Sequence, residues 1–184
     1  MFKIIITLLF FSFYIPANSS QKSKIISQMK LTNNLSFDFV QTINDKSEDG
    51  KCIIEYPKKI FCEYNNYRKK IIVSNGKSLV IKTTNKKGYY RYPLNKTPLE
   101  FLLDKEYLIS KMENLEARDI NNKYLNFKIF ENNIEIDIFF DKKSSNLIGW
   151  QTEDIYQNLS ITLISSVKKN QEINNKIFNL PENN

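Results

Sequence analysis

The chain has 184 residues, 41% of them hydrophobic and 26% charged, an ordinary globular balance for one domain. It contains no histidine, two cysteines and four glycines, which excludes His-based nucleophile pairs, His-ligated zinc and Gly-rich phosphate loops. The net charge of +7 comes from lysines scattered beside turns, with only Arg68, Arg91 and Arg118 as arginines, so nucleic acid is not an expected partner.

Met1-Phe2-Lys3 is a short charged start, and Ile4 to Ile15 is a nearly unbroken apolar run. A bilayer span needs about 20 residues, so this run is too short to cross and suits a secretory signal. Ala17 and Ser19 supply the small residues that a signal peptidase reads, so residues 1–19 are expected to be a cleaved signal peptide and 20–184 a single exported domain. Ile25, Ile26 and Met29 then recur at helical spacing between Ser20 and Leu31. From Leu35 the period changes to two: Leu35, Phe37, Phe39, Gln41 and Ile43 share one face of a long strand.

Asp49-Gly50 is expected to open a hairpin whose arms, Cys52–Tyr56 and Ile60–Tyr64, fold about Pro57-Lys58-Lys59. Cys52 and Cys62 then fall opposite each other, as a cross-strand disulfide or as two buried thiols. Asn75-Gly76 marks a second hairpin, and Lys86-Lys87-Gly88 turns into the aromatic strand Tyr89–Tyr92. The strand pattern breaks at Thr97-Pro98-Leu99-Glu100, a helix start with Thr97 as cap and Pro98 first, followed by apolar residues to Ile109. Strands resume at 124–130 and 134–140 across Asn132-Asn133, then at Leu147–Gln151 and Leu159–Leu163, with Ile177–Pro181 as a final short strand.

The fold class is therefore mainly β: about ten antiparallel strands, interrupted by one central helical insertion, in a curved sheet or open barrel. By physics alone the helical insertion is either a plug for the core or a lid over a cavity. The carboxylates mostly sit beside lysines or on the polar parity of strands, so no catalytic pair, metal site or cofactor is expected.

The chain resembles the LolA family of outer-membrane lipoprotein carriers, over nearly all of the expected mature domain. The residues that carry the resemblance come in family order: Phe37-Asp38-Phe39-Val40-Gln41, Gly50, Tyr56-Pro57-Lys58-Lys59-Ile60, Val73-Ser74-Asn75-Gly76-Lys77, Thr97-Pro98-Leu99 and Phe178-Asn179-Leu180-Pro181. The resemblance implies an open, incomplete antiparallel β-barrel of about ten to eleven strands with short helices forming a lid, and a periplasmic, monomeric carrier that shields lipoprotein acyl chains in its apolar cavity between the inner and outer membranes. Its implied partners are acylated lipoproteins, an inner-membrane ABC lipoprotein transporter and, as a further candidate, an outer-membrane acceptor. The alternative is an envelope sensor or interaction module of the same fold that binds a protein.

Candidate cavity residues under that resemblance are Phe37, Phe39, Ile54, Tyr56, Leu79, Ile81, Ile136 and Ile138 from the strands, with Leu99, Leu102 and Leu103 from the lid. Tyr56 stands where the family commonly has an arginine that bonds the lid, and is the candidate latch.

Overall fold

The computed structural model describes residues 20–84, 88–153 and 157–181. The expected signal peptide lies outside the described residues. So does most of the turn expected at Lys86-Lys87-Gly88, where only Gly88, at φ +89°, is described.

Among the described residues, eleven strands form one antiparallel sheet: β1 (Asn34–Ile43), β2 (Lys46–Glu55), β3 (Lys59–Tyr64), β4 (Ile71–Asn75), β5 (Ser78–Lys82), β6 (Tyr89–Pro93), β7 (Arg118–Ile120), β8 (Tyr124–Glu131), β9 (Ile134–Asp141), β10 (Leu147–Glu153) and β11 (Leu159–Lys169). Their spatial order is β6-β5-β4-β3-β2-β1-β11-β10-β9-β8-β7, so the first and last long strands meet at the centre. β6 and β7 do not pair, which leaves the barrel open. The sheet also curls, because side chains of β4 to β6 share a hollow with Trp150 of β10.

The helices are α1 (Gln21–Lys30), α2 (Leu99–Leu102) and α3 (Lys105–Asn114). Ser20 caps α1, its hydroxyl accepting from the Ser23 N–H, and Asp104 caps α3 by accepting from the Tyr107 N–H. α1 and α3 pack their apolar stripes together over β8 and β9, burying Ile25, Ile26, Ile109 and Met112 against Phe127, Ile136 and Ile138. Lys22 donates to the Glu113 and Leu115 carbonyls at 2.7 and 2.8 Å, placing a cation at the C-terminus of α3. A second apolar cluster fills the β1–β5 half, around Phe37, Phe39, Ile54, Ile60 and Leu103. Leu99, Leu147 and Trp150 touch both clusters, so α2 lies where the halves meet.

Three expectations need correction. Asp49-Gly50 is not a turn; the chain reverses at Asn44-Asp45, both at positive φ, and Gly50 lies inside β2. Gly50 is needed for close approach: a Cβ there would sit 2.1 Å from the Glu63 carbonyl oxygen. The bare backbone lets Phe39 and Tyr64, its neighbours on either side, meet edge to face across it at 4.9 Å.

The segment Ile177–Pro181 is not a strand. Asn175–Phe178 is a 3-10 turn that satisfies its own backbone, Ile177 N–H donating to the Asn174 carbonyl, and that buries Phe178 against β3 and β4.

Thr97 does not cap a helix. Its hydroxyl donates to the Leu94 carbonyl at 2.8 Å, closing a 3-10 turn at Leu94–Lys96. The helical insertion is therefore three short pieces reaching Asn114, not one. Strand β7 was not expected at all, and being only Arg118–Ile120 it carries no readable period.

Candidate functional site

Cys52 and Cys62 pair directly across β2 and β3 and are disulfide-bonded. Both are nearly fully buried on the sheet face that carries the helices, so the bond is part of the wall beneath the lid.

Under α2 the molecule holds three apolar spaces in a row. The inner cavity, about 50 Å³, lies between Leu102, Leu103 and Leu108 of the helices and Leu35, Ile54 and Ile138 of the sheet. The middle one, about 60 Å³, is bounded by Phe39, Ile60, Ile72, Thr162 and the disulfide. The outer hollow is much larger, about 480 Å³, and opens to solvent between Ile72, Leu79, Ile81, Tyr90 and Tyr92 on one side and Thr152 and Ser160 on the other. Leu99 and Trp150 border all three. A side chain from the lid and one from the sheet therefore face each other along the whole path inward.

The candidate residues distribute unevenly over these spaces. Ile54, Tyr56, Leu102, Leu103 and Ile138 border the inner cavity, Phe39 the middle one, and Leu79 and Ile81 the outer hollow. Phe37 and Ile136 border none of the three. Phe37 packs edge-on against Trp150 at 6.1 Å, and Ile136 is sealed in the cluster under α1 and α3.

Trp150, Tyr64 and Tyr92 also border these spaces and were not among the residues expected there. Trp150 was hidden by an irregularity: the β9–β10 register shifts between Leu147 and Gly149, so Leu147 and Trp150 both face inward three residues apart. Gly149 sits at the shift with φ +155°, and a Cβ would lie 2.3 Å from the Thr162 carbonyl oxygen. An isolated glycine in an apolar run was the signal available.

The polar contacts that hold α2 to the β2–β3 turn come from Lys58, two residues beyond Tyr56. Lys58 N–H donates to the Leu103 carbonyl at 2.8 Å, while its Nζ lies 2.6 Å from Glu100 Oε1 and 3.4 Å from Asp104 Oδ2. One lysine thus holds both ends of α2. Tyr56 instead forms cavity wall, with Lys105 Nζ 6.0 Å from its ring centre, and burial pushes its hydroxyl pKa up to about 12. The Tyr56 hydroxyl accordingly stays neutral at physiological pH.

The Lys58 pairs are a weak tether, because all three side chains are about a quarter exposed or more, at 30%, 23% and 27%. Such pairs contribute at most about 1 kcal/mol each. Lys58→Ala should therefore speed amide exchange at Leu102 and Leu103 about three- to tenfold without unfolding the sheet, as hydrogen exchange would show. The hydrogen bond to Glu100, above all, raises the Lys58 pKa above its usual 10.5. From neutral pH upward the tether is fully present below pH 10.5 and is lost as pH rises through the elevated value, so the protection of Leu102 and Leu103 relative to free peptide should fall only in strong alkali.

The opposite face of the sheet carries the one network built around a deeply buried carboxylate among the described residues. Asp137 accepts from Arg118 at 2.6 Å and from Asn126 at 3.1 Å, which tacks the short β7 onto β8 and β9. It lies outside the three spaces under the lid.

The sequence model described as outer membrane lipoprotein carrier protein LolA matches residues 30–181. The chain belongs to the LolA family. Among curated proteins no sequence matches the chain. Among solved structures, the chain is similar to a LolA superfamily protein from Nitrosomonas europaea, at 10% identity over 88% of this chain and 99% of that one, with a TM-score of 0.45. It is similar to a putative outer membrane lipoprotein-sorting protein domain from Vibrio parahaemolyticus, at 8% identity over 87% and 97%, with a TM-score of 0.49. It is also similar to MucB, at 7% identity over 90% of this chain and 65% of that one, with a TM-score of 0.42. LolA-family proteins are periplasmic carriers, and the LolA fold supports a lipoprotein-binding or carrier-like role. No described helix of this LolA-family chain is long and apolar enough to cross a membrane.

Proposed function

We propose that the chain is a periplasmic carrier that shields lipoprotein acyl chains between the inner and outer membranes. The observation that carries the reading is the run of apolar spaces bordered throughout by Leu99 and Trp150. At ~0.8 kcal/mol per methylene, a chain of roughly sixteen carbons costs on the order of 12 kcal/mol to expose to water. A carrier must hide that surface, and the outer hollow offers apolar walls for it.

The inner spaces are too small as they stand. A single water needs roughly 10–15 Å³ of such volume, so spaces of about 50 and 60 Å³ hold only a few atoms. Deeper entry of a chain therefore requires α2 to lift. The tether favours this: weak ion pairs at Lys58 hold the lid closed when empty yet cost little to break. Release then needs no nucleotide site, only a competing acceptor for the chain. In this reading residues 1–19 are the export signal, removed from the carrier, and the exchange partners are an inner-membrane ABC lipoprotein transporter and an outer-membrane acceptor.

Trp150 is the sole tryptophan, so its emission reports on the path directly. Titrating the purified protein with a diacylated N-terminal lipopeptide should shift that emission to the blue and saturate. An emission that stays unchanged while the protein remains folded would refute the reading.

A further inference from the structure

The outer apolar hollow does not end at its own rim. Gln41 and Ile43 border it and also border a second, polar hollow of about 480 Å³ at the β1–β2 turn. The other walls of that hollow include Lys46, Glu48, Asn66 and Arg68. A hollow walled mainly by aliphatic and aromatic residues thus shares one wall with a hollow most of whose lining residues are polar or charged, which is the shape of a site for an amphiphile.

The charges of the polar compartment are unequal in availability. Glu48 is already neutralised: Lys70 pairs with it and the Asn66 amide donates to it at 2.8 Å. Lys46 and Arg68, by contrast, have no carboxylate partner among the described residues. Arg68 is nonetheless held in place. Its backbone carbonyl accepts from the Thr84 N–H and hydroxyl at 2.8 and 2.9 Å, and its Nε donates to the Tyr67 hydroxyl at 2.7 Å. The bond through Nε leaves the terminal guanidinium N–H groups for a ligand. Once internal pairs are counted, the polar hollow keeps two cations without a carboxylate partner among the described residues, beside a chain site whose own rim carries Lys70, paired with Glu48, and Glu153.

We propose that this polar hollow is the head end of the binding site and takes an anionic group, phosphate or carboxylate, attached to the acyl chain that the apolar hollow receives. The assignment rests on the acyl-carrier reading and adds a ligand class to it: an acylated cysteine carries no anion of its own, so Lys46 with Arg68 extend the same chain site to anionic amphiphiles. The guanidinium fork suits the oxygens of phosphate or carboxylate, and the ammonium of Lys46 adds a point charge. Because both cations are exposed, the preference is moderate and falls with salt.

The test compares probes of equal chain length: palmitate, lysophosphatidylglycerol with a palmitoyl chain, neutral monopalmitin, and inorganic phosphate alone, each read by Trp150 emission at low ionic strength. Both anionic amphiphiles are expected to bind about tenfold tighter than monopalmitin, and phosphate alone not to compete at the same concentration. Preference for lysophosphatidylglycerol over palmitate assigns the hollow to phosphate; the reverse assigns it to carboxylate. The double variant Lys46→Glu with Arg68→Glu should abolish the anionic preference. The same charge change on the opposite face, Lys51→Glu with Lys168→Glu, should keep it. Equal affinity of the wild-type protein for neutral and anionic probes overturns the assignment but leaves the carrier reading intact. Loss of preference in both double variants also overturns it, since net charge would then be the cause. No uptake of any acyl probe overturns the carrier reading and this assignment together.

Discussion

Leu99→Asp is expected to lower acyl-chain uptake by more than about a hundredfold while the sheet stays folded. Leu99 opens α2 and borders each of the three apolar spaces, opposite Trp150. In the empty protein a carboxylate at this position reaches water through the outer hollow, so the folded state tolerates it. When a chain enters, that water must leave and the charge has no partner. Stripping an unpaired carboxylate of water costs several kcal/mol after relaxation, and a hundredfold loss needs only about 2.7 kcal/mol. Titration of lipopeptide against both proteins measures the loss, and a circular dichroism melt checks the fold. Leu99→Ala, which removes contact without adding charge, should cost much less. If Leu99→Asp takes up the lipopeptide as the parent does, the path past Leu99 and Trp150 is not the acyl site.

The second large effect is on stability. Removing the Cys52–Cys62 bond by Cys52→Ala with Cys62→Ala should destabilise the protein by about 3 kcal/mol. The estimate follows from the loop that the bond closes, a separation of 10 residues, through the entropy it removes from the unfolded chain. For a domain of this size, that corresponds to a fall in Tm of roughly 6–12 °C. A reducing agent should reproduce the shift only after unfolding, because both cysteines are at least 95% buried, with exposures of 5% and 4%. A double variant that melts with its parent would show that the β2–β3 ladder already holds the hairpin without the bond.

Much of this was legible from local pattern. The period-two run from Leu35 gave β1, the opposed cysteine arms gave β2 and β3, and Asn75-Gly76 and Asn132-Asn133 gave two hairpins, because in each the side-chain alternation and the turn chemistry agree. Errors arose where one residue served tertiary packing. Gly50 looks like a turn residue, yet it is bare so that Glu63 can approach and Phe39 can meet Tyr64. The register shift at Gly149 inverts the parity after Leu147 and conceals Trp150. The role expected of Tyr56 illustrates a different limit. The resemblance pointed to the correct hairpin, but the lid contact depends on where the chain after Pro57 turns, and that places Lys58 against Glu100 and Asp104. The polar hollow was invisible for the same reason: Lys46 and Arg68 are distant in sequence and meet only through the fold.

If the apolar spaces under α2 hold acyl chains, the protein should lift acylated peptide from a membrane into solution. Purified protein is mixed with a diacylated lipopeptide held in vesicles, the vesicles are removed by centrifugation, and the lipopeptide left in solution is quantified by mass spectrometry. Soluble lipopeptide should rise with protein to about one equivalent and disappear with Leu99→Asp. Lipopeptide that stays wholly with the vesicles in the presence of folded protein would contradict acyl binding under α2.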